Sequence, residues 1–331
     1  MRKILFQILV ISLFAISGCL AQPDGKKKDA FHTFNINDPE ELMKFFSYSP
    51  DRIPLICAHR GGDRKYYPEN CIATFENTLS EVHAMIETDP RYTKDSVIVL
   101  MHDPTLERTT NGTGRVCDYT WEELRKLKLK DSFGNLTDYQ IPTLDEALEW
   151  AKSKTILVLD RKDVPIDVRI KKIAEHNAAS NAIVIAYSIE EIKKCYSINH
   201  DIIMEIMVGD LKQVEAFEET NVPWENIVGF VSHNLNVNPE IFNLMHRNGA
   251  MCIVGSSRNH DLKYKSGEIR SFGELSDKYR KMITDGADII EADLAIEAGL
   301  SLTNFIPVNK SISKEKFFTT TKIKPKTNET Y

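Results

Sequence analysis

Nine short apolar runs, rich in β-branched residues, recur between residues 54 and 293. They read PLICA, AMIETD, VIVLMH, TILVLD, AIVIAY, DIIMEIM, IVGFVS, AMCIVG and DIIEAD. Most are apolar throughout rather than at every second position, which is typical of parallel strands covered on both faces. Segments with helical periodicity separate most of the runs, so the pattern predicts repeated β-α units. This many units favour a closed (β/α)8 TIM-type barrel.

The count of runs exceeds the eight strands of such a barrel by one. Only PRYTKDS, residues 90–96, separates the second run from the third, and a helical crossover needs about a dozen residues. One unit is therefore expected to lack its helix. A small insertion is predicted after the third strand, over residues 104–142, where NGTG and FGN mark turns. A doubly wound open sheet is the competing architecture, but no GxGxxG or Walker loop follows any run.

The N-terminus has the features of an export signal. Two basic residues precede an apolar stretch over residues 4–15, and the sequence ISGC ends at Cys19. This ending resembles the lipobox of bacterial lipoproteins, in which the cysteine carries the lipid. The alternative is an ordinary signal peptide with an incidental cysteine. We therefore expect an exported protein that is lipid-anchored to a bacterial membrane, on its periplasmic side or at the cell surface.

Four segments follow from this interpretation. Residues 1–18 are expected to form the signal peptide, 19–36 a lipidated tether, 37–303 the barrel and 304–331 a polar tail with little order. Within the barrel segment, Leu42, Phe45 and Phe46 have helical spacing and predict a helix that covers the bottom of the fold.

The composition excludes some partners. The formal net charge is −6, so the overall balance gives no support to a nucleic-acid groove. Apart from Cys19, the cysteines form no CxxC pair, and we expect most of them to be small buried hydrophobic residues.

Several reactive side chains stand at the downstream ends of the runs. They are His59, Glu87, Asp89, His102 and Asp160. Because the carboxyl ends of parallel barrel strands meet at one face, these groups are expected to converge. Glu87 and Asp89, two residues apart on a strand, project to the same side. Two such carboxylates need a cation between them, and oxygen ligands suit Mg²⁺ or Ca²⁺, with Asp160 as a third ligand. The alternative is a solvated strand end with incidental acids.

The two histidines and two neighbouring cations suggest phosphate chemistry. Imidazoles that titrate near neutrality can divide general acid and general base between them during displacement at phosphorus. Arg60 and Lys162 would add fixed positive charge for a phosphate group. Simple ion pairing with the nearby acids is the alternative for both cations.

These residues lie in motifs that occur in a recognisable order. AHRG is followed by PEN, IETD, HDPTLERTTNGTG, IPTLDEAL and a later acid-x-Lys. From about Ile56 to Asp293 the chain resembles the glycerophosphodiester phosphodiesterase family, which belongs to the phospholipase-C-like TIM-barrel phosphodiesterases. The resemblance implies one divalent cation and hydrolysis of a glycerophosphodiester to an alcohol and sn-glycerol 3-phosphate.

The resemblance also implies roles for single residues. His59 and His102 match the acid–base histidines, Glu87 and Asp89 match metal ligands, and Arg60 and Lys162 match phosphate-facing positions. Glu69 and Asn70 match the PEN motif. Asn70 is also placed to cap the following helix, which would make its role structural.

Four departures from the family pattern concern the later strands. Asp160 stands where the family usually has Glu, which shortens the third ligand by one methylene. Gly255-Ser256 replaces a Trp-Thr pair, and 292–295 read ADLA where Thr-Asp-Arg-Pro is usual. Glu205 lies inside an apolar run with no assigned direction. Two alternatives therefore remain: a lysophospholipid or glycerophosphoinositol-like substrate, and a non-catalytic, lipid-anchored binding barrel.

Overall fold

A computed structural model describes residues 30–234, 236–303, 305 and 312–322 of the protein. The predicted signal peptide, Cys19 and the first part of the tether lie outside the described residues. Within the described part, no helix has both the length and the apolar character needed to cross a bilayer.

The strands of the described residues are numbered in chain order. They are β1 (Ala30–Phe34), β2 (Leu55–Ala58), β3 (Met85–Thr88), β4 (Pro90–Tyr92), β5 (Ile98–Leu100), β6 (Leu157–Leu159), β7 (Ala182–Ala186), β8 (Met204–Met207), β9 (Ile227–Ser232), β10 (Cys252–Gly255), β11 (Ile289–Ala292) and β12 (Phe318–Lys322).

The α-helices of the same residues are numbered in the same way. They are α1 (Pro39–Phe46), α2 (Ile72–Leu79), α3 (Trp121–Leu124), α4 (Leu144–Ala151), α5 (Ile166–Glu175), α6 (Ile189–Ile198), α7 (Leu211–Glu218), α8 (Pro239–Arg247), α9 (His260–Lys265), α10 (Phe272–Asp285), α11 (Ala295–Leu302) and α12 (Ile312–Glu315).

Eight parallel strands close into the predicted barrel. Their order around it is β2, β3, β6, β7, β8, β9, β10 and β11, and β11 pairs with β2 to complete the ring. Neighbouring strands are therefore consecutive along the chain apart from β4 and β5. The (β/α)8 prediction is confirmed.

The surplus ninth run lies outside the barrel. Its strand β5 pairs antiparallel with β4 in a separate two-stranded sheet. The expectation that it is the third barrel strand was wrong, and the insertion therefore lies between the second and third strands of the barrel. The expectation that one unit lacks its helix was wrong for the same reason, because α4 lies between β3 and β6. The run is apolar because both of its faces are covered. Val99 and Met101 pack in a small core of the insertion, and Ile98 and Leu100 pack in the cluster that lies between the barrel strands and their helices.

The barrel interior is apolar at its lower end. Residues at alternate positions of the strands, such as Cys57, Met85, Val158 and Ile253, form one cluster inside the ring. The same cluster contains Leu42, Phe45 and Phe46 of α1, so this helix covers the amino ends of the strands as predicted.

The other strand face packs against the surrounding helices. Ile56, Ile86, Leu157 and Val184 belong to a second cluster with apolar residues of these helices, among them Phe75. Because both strand faces are covered, the runs read as continuously apolar. The five described cysteines are free, and four of them are buried, as expected.

The described parts of the predicted tether and tail are ordered together. β1 and β12 form a two-stranded antiparallel sheet with Phe34 opposite Phe318. The expectation of an unstructured tail is wrong for residues 312–322, because Phe317 packs in the interior cluster beside Phe45. The Phe34 N–H donates to the Lys154 carbonyl at 2.9 Å, just before β6, which places this sheet at the amino ends of the barrel strands.

His83 attaches the terminal sheet to the barrel. Its ring lies 5.2 Å from the ring of Phe318 and 4.9 Å from that of His32, and its Nε2 lies 2.8 Å from the Thr319 carbonyl. Burial lowers the pKa of His83 to about 4, while the bond to Thr319 acts in the opposite direction. The neutral ring is therefore part of the folded structure.

The buried neutral ring of His83 predicts that the free energy of unfolding falls in acid. The unfolded histidine titrates near pH 6.5, so the stability that depends on neutral His83 is complete above that pH and is lost as the pH falls towards 4. Between pH 7 and pH 5 the loss corresponds to about 2 kcal/mol. In urea unfolding, His83→Gln should be less sensitive to this change of pH than the wild type. His200→Gln, at an exposed histidine, is the control, and equal pH dependence in all three proteins would contradict the prediction.

Candidate active site

The carboxyl ends of the barrel strands surround a polar cavity. Glu87, Glu205 and Glu291 each lie two positions after an interior apolar residue, so they face the same interior at its upper end. The cavity has a volume of about 540 Å³. Of the predicted site residues, those that line it are His59, Arg60, Glu69, Glu87, His102, Asp160 and Lys162. Asp89 and Asn70 lie directly behind its surface, 1% and 3% exposed.

The predicted carboxylate trio is assembled. One oxygen from each of Glu87, Asp89 and Asp160 lies within 4.8 Å of the other two, and all three residues are buried. Burial and the neighbouring Asp89 raise the pKa of Glu87 well above its usual range. Burial alone would raise the pKa of Asp89 too, but the charges of Lys162 and Arg60 lower it. The trio is therefore a concentration of negative charge that a cation relieves.

These three side chains fit a divalent cation. They offer only carboxylate oxygens, the donors that hard cations such as Mg²⁺ and Ca²⁺ prefer. The shorter Asp160 still reaches the group, because the ends of β3 and β6 are neighbours in the sheet. Lys162 Nζ lies 2.9 Å from Asp89 and also contacts Asp160, and the Tyr187 hydroxyl donates to Asp160.

The loop after β2 brings Arg60 into the site. Arg60, Gly61 and Gly62 have φ values of 52°, 91° and 79°, in the left-handed region. A Cβ atom on Gly61 would lie 2.4 Å from the Phe75 ring, so the tight turn requires glycine there. In this conformation the Arg60 backbone N–H donates to Glu87 at 2.8 Å. The Arg60 guanidinium lies 3.2 Å from Glu69.

Asn70 holds a predicted ligand in place. Its side-chain amide donates to Asp89 at 2.6 Å, and its oxygen accepts the Asp89 backbone N–H at 3.0 Å. The predicted alternative of a helix cap is wrong, because Cys71 occupies the cap position of α2. Asn70 has a φ of 53°, which an asparagine tolerates better than most residues. The amide therefore fixes the orientation of the Asp89 carboxylate.

His59 is oriented by an aspartate from the last strand. Its Nδ1 lies 2.7 Å from Asp293 Oδ1. The backbone N–H of Asp293 donates at 2.7 Å to Asp261, whose other oxygen accepts the Ser256 hydroxyl at 2.5 Å and the Tyr279 hydroxyl at 2.8 Å. Two of the departures from the family pattern therefore retain useful groups, the hydroxyl of Ser256 and the carboxylate of Asp293.

His102 has an equivalent partner. Its Nδ1 lies 2.7 Å from Asp103, which also accepts from Arg108 at 2.6 Å. Arg108 donates to both oxygens of Glu69, at 2.7 and 2.8 Å. Glu69 therefore contacts two arginines, Arg60 and Arg108. Through Arg108 it supports the Asp103 carboxylate that orients His102.

The two imidazoles differ in their electrostatic surroundings. Burial lowers the pKa of His59, but the bond to Asp293 and the charge of Glu87 outweigh it and raise this pKa to about 10. For His102 burial prevails over the charge of Asp89 and the bond to Asp103, and its pKa is lowered. In both rings Nδ1 is engaged by a carboxylate, which leaves Nε2 for a substrate.

Several cavity residues were not predicted as members of the site. Glu205, whose direction the sequence left open, lines the cavity and is 1% exposed. Glu291, Tyr187 and His233 also line the cavity. Burial and the charge of Glu291 raise the pKa of Glu205 well above its usual range. Glu291 and Asp293 repeat the acid-x-acid spacing of Glu87 and Asp89 at the end of the last run, a signal that could have identified them.

A second group of potential metal ligands lies at the opposite end of the barrel. His246, Cys252 and Asp288 have ligand atoms within 4.8 Å of one another. Asp288 is already engaged, because it contacts Arg52 and accepts the Cys252 N–H at 2.7 Å and a bond of 2.8 Å from His246. This group therefore serves to attach α8 and the first barrel strand to the core.

A (β/α)8 barrel with carboxylates, histidines and cations around one cavity is suited to the hydrolysis of phosphodiesters. Comparison with known proteins identifies the family. Residues 59–205 match the glycerophosphoryl diester phosphodiesterase family. A glycerophosphodiester phosphodiesterase from Caldanaerobacter subterraneus is 33% identical over 211 residues, 59% of this chain and 82% of that protein.

Two further relatives agree. Glycerophosphodiester phosphodiesterase 1 of Bos taurus is 40% identical over 126 residues, 32% of this chain and 37% of the bovine protein. The crystal structure of a glycerophosphoryl diester phosphodiesterase from Parabacteroides distasonis has 42% sequence identity and a TM-score of 0.82, covering 88% of this chain and 99% of that one. The chain belongs to the glycerophosphoryl diester phosphodiesterase family. It is an enzyme, a phosphoric diester hydrolase, rather than a non-catalytic binding barrel.

Proposed function

We propose that the protein hydrolyses glycerophosphodiesters to an alcohol and sn-glycerol 3-phosphate, with one divalent cation and two histidines. The observation that carries this proposal is the pairing of His59 with Asp293 and of His102 with Asp103 around the cavity that the carboxylate trio borders. Each pairing fixes the tautomer and direction of one imidazole.

The two histidines would divide the proton transfers. One Nε2 accepts the proton of the attacking hydroxyl, and the other donates a proton to the leaving alkoxide. If the attacking group is water, this step gives sn-glycerol 3-phosphate directly. If it is the glycerol 2-hydroxyl, the step gives a cyclic phosphate, which a water then opens with the two proton transfers reversed. The carboxylates at Nδ1 stabilise whichever ring is positive at each stage. General acid–base catalysis of this kind contributes about 10²- to 10⁴-fold in rate.

The reaction also requires stabilisation of the negative charge on the phosphate. Glu87, Asp89 and Asp160 would hold Mg²⁺ or Ca²⁺, which when bound supplies Lewis-acid polarisation of a phosphodiester oxygen. Arg60 and Lys162 line the same cavity, and each is ion-paired with an acid. Both cations would move part of their hydrogen bonding to the phosphate oxygens as negative charge develops there.

The metal proposal predicts that chelation silences the enzyme. Activity should disappear in EDTA and return with Mg²⁺ or Ca²⁺. Asn70→Ala removes the amide that orients Asp89 and should weaken cation binding by about 10- to 100-fold. The measurement is a cation titration by calorimetry, with activity as a second readout and circular dichroism as the folding control. Full turnover after exhaustive chelation would contradict the proposal.

The histidine proposal predicts a specific loss of turnover. His59→Ala and His102→Ala should each lower kcat by about 10²- to 10⁴-fold with the fold retained. His176→Ala is a matched control, because His176 also contacts two carboxylates, Asp145 and Glu149, but lies outside the cavity. Release of glycerol phosphate is measured with a coupled assay. Near-normal kcat in either cavity variant would refute its proposed role.

Lysophospholipids are a second candidate class of substrate. Ile185, Met207 and Phe230 give the cavity an apolar side, and a recess of about 180 Å³ begins beyond Tyr187 and Met207. An acyl chain could follow this side. Comparison of lysophosphatidylcholine with glycerophosphocholine distinguishes the two classes, since an acyl-binding enzyme favours the former.

We also propose that the protein is exported and lipid-anchored through Cys19. The order of basic residues, apolar stretch and ISGC supports this. β1 lies within the end of the predicted tether and at the amino ends of the barrel strands, so an anchored enzyme would turn its cavity away from the membrane. This geometry favours soluble glycerophosphodiesters over membrane lipids.

The anchor proposal predicts that Cys19→Ser moves the protein from the membrane fraction to the soluble fraction. Labelling of expressing cells with an alkynyl fatty acid should mark the wild type and not the variant. Cys117→Ser, at an exposed cysteine of the insertion, is the matched control. Unlabelled, soluble wild-type protein would exclude the anchor.

A further inference from the structure

Helix α5 carries an arginine on its buried face. The buried residues of this helix are Ile166, Arg169, Ile170 and Ile173, whose spacing of three and four residues places them on one side. Arg169 is 0% exposed. Among the described residues, both of its hydrogen bonds go to backbone carbonyls, while its Nε and Nη2 have no partner. Because burial of a charge without a bonded carboxylate costs free energy of folding, stability alone does not account for an arginine here.

The two carbonyls belong to the carboxyl ends of neighbouring barrel strands. Nη1 of Arg169 donates to the Leu159 carbonyl at 2.8 Å and to the Ile185 carbonyl at 2.9 Å. Leu159 is the last residue of β6, and Ile185 is the last but one of β7. One nitrogen atom therefore ties these two strand ends together from the helical layer outside the ring.

The bond to Leu159 fixes the peptide group that leads into Asp160. This peptide joins Leu159 to Asp160, and its N–H donates to the Thr88 carbonyl of β3 at 2.9 Å. Arg169 thus holds one polar group of the peptide and β3 holds the other. An aspartate has fewer side-chain torsions than the glutamate that is usual at this position, so its oxygens follow the backbone more closely. Fixing the peptide therefore fixes the direction in which the Asp160 carboxylate points.

The bond to Ile185 supports the same carboxylate from the next strand. Tyr187 lies two residues after Ile185, and its hydroxyl donates to Asp160. The Tyr187 backbone N–H donates to Glu191, in the first turn of α6, at 2.8 Å. Arg169 and Glu191 therefore hold the short segment from which Tyr187 reaches Asp160.

We propose that Arg169 is a positioning residue of the cation site, which holds the Leu159 and Ile185 carbonyls and so keeps Asp160 directed towards Glu87 and Asp89. This inference rests on the proposed function, in which these three carboxylates hold the divalent ion. Arg169 does not line the cavity, so it acts through Asp160 and Tyr187 and not on the substrate.

The charge of Arg169 acts in the opposite direction to its positioning role. Burial lowers the pKa of Arg169, whereas the negative charges of Glu191 and Asp160 raise it, and a guanidinium stays protonated in a folded protein. A positive charge this close to Asp160 repels a second cation. On charge alone, removal of Arg169 would tighten cation binding, whereas loss of positioning weakens it. The sign of the change therefore distinguishes the two effects.

Calorimetric titration of the metal-free, full-length protein with Mg²⁺ and with Ca²⁺ measures that sign. Arg169→Met should raise the Kd of the cation by about 10- to 100-fold, the usual effect of removing a group that orients a metal ligand. Arg169→Lys keeps the charge but not the planar guanidinium, and should raise Kd by about 3- to 10-fold. At saturating cation, kcat of both variants should return to within about threefold of the wild-type value, because the histidines are unchanged.

Two further comparisons separate positioning from a general effect on the fold. In an Asp160→Ala background, Arg169→Met should change Kd by less than about twofold, because the residue through which it acts is absent. Arg280→Met is the matched control, since Arg280 also donates to a backbone carbonyl, that of Ser301 at 3.0 Å, but lies outside the cavity. This control should bind the cation as the wild type does.

Tyr187→Phe tests the second route and does not depend on a substitution in the core. It removes the hydroxyl that donates to Asp160 and should raise Kd by about 3- to 10-fold. Unfolding midpoints identify any variant that fails to fold. If Arg169→Met is one of these, Arg169→Lys and Tyr187→Phe decide, and wild-type affinity in both overturns the proposal.

The outcomes separate this inference from the function on which it rests. If the wild type binds neither cation and is fully active in EDTA, the proposed metal site fails. If the wild type binds the cation and Arg169→Met binds it equally or more tightly, the positioning role alone is overturned. An equal effect of Arg169→Met with and without Asp160 would also overturn it.

Discussion

Burial of like charges around one point of the barrel interior is the constraint on which the site depends. Five carboxylates there are each no more than 7% exposed, those of Glu87, Asp89, Asp160, Glu205 and Glu291. In such an environment carboxylates either bind protons, as the raised pKa values of Glu87 and Glu205 indicate, or are neutralised by cations. Two cations, Arg60 and Lys162, lie directly against Asp89. The proposed divalent ion would relieve the negative charge that remains, and the phosphate of a substrate would share the same positive groups.

A second layer of contacts keeps the reactive groups in position. Asp293 and Asp103 each hold the Nδ1 of one histidine, and each is itself held, the first by Asp261 and the second by Arg108. The contact of Asp293 with Asp261 spans 32 residues, whereas Asp103 and Arg108 belong to the same loop. The geometry around His59 therefore depends on closure of the barrel, because His59 follows the first barrel strand and Asp293 follows the last. The geometry around His102 is set within a single loop.

The fold was largely predictable because the barrel strands are covered on both faces, and uninterrupted apolar runs report this directly. Helices α4, α8 and α10 have the ends that periodicity and capping residues indicate. The error over Ile98–Leu100 has a physical reason, because an apolar run reports burial and not membership of the barrel. Val99 is buried in the core of the insertion, and Ile98 and Leu100 are buried in the cluster outside the barrel strands. The β1–β12 pairing was missed because its partners lie at opposite ends of the chain, where only tertiary packing brings Phe34 and Phe318 together.

The sequence by itself determined which reactive side chains stand at the carboxyl ends of the strands. Their positions follow from local rules: parallel strands align their carboxyl ends, and an acid-x-acid pair faces one side. Tertiary structure decided which groups meet. His59 and Asp293 are 234 residues apart, and His233 takes the space beside Gly255 only because β9 and β10 are neighbours. Such contacts depend on the closure of the ring and on the volume left by each side chain, and neither leaves a periodic pattern in the sequence.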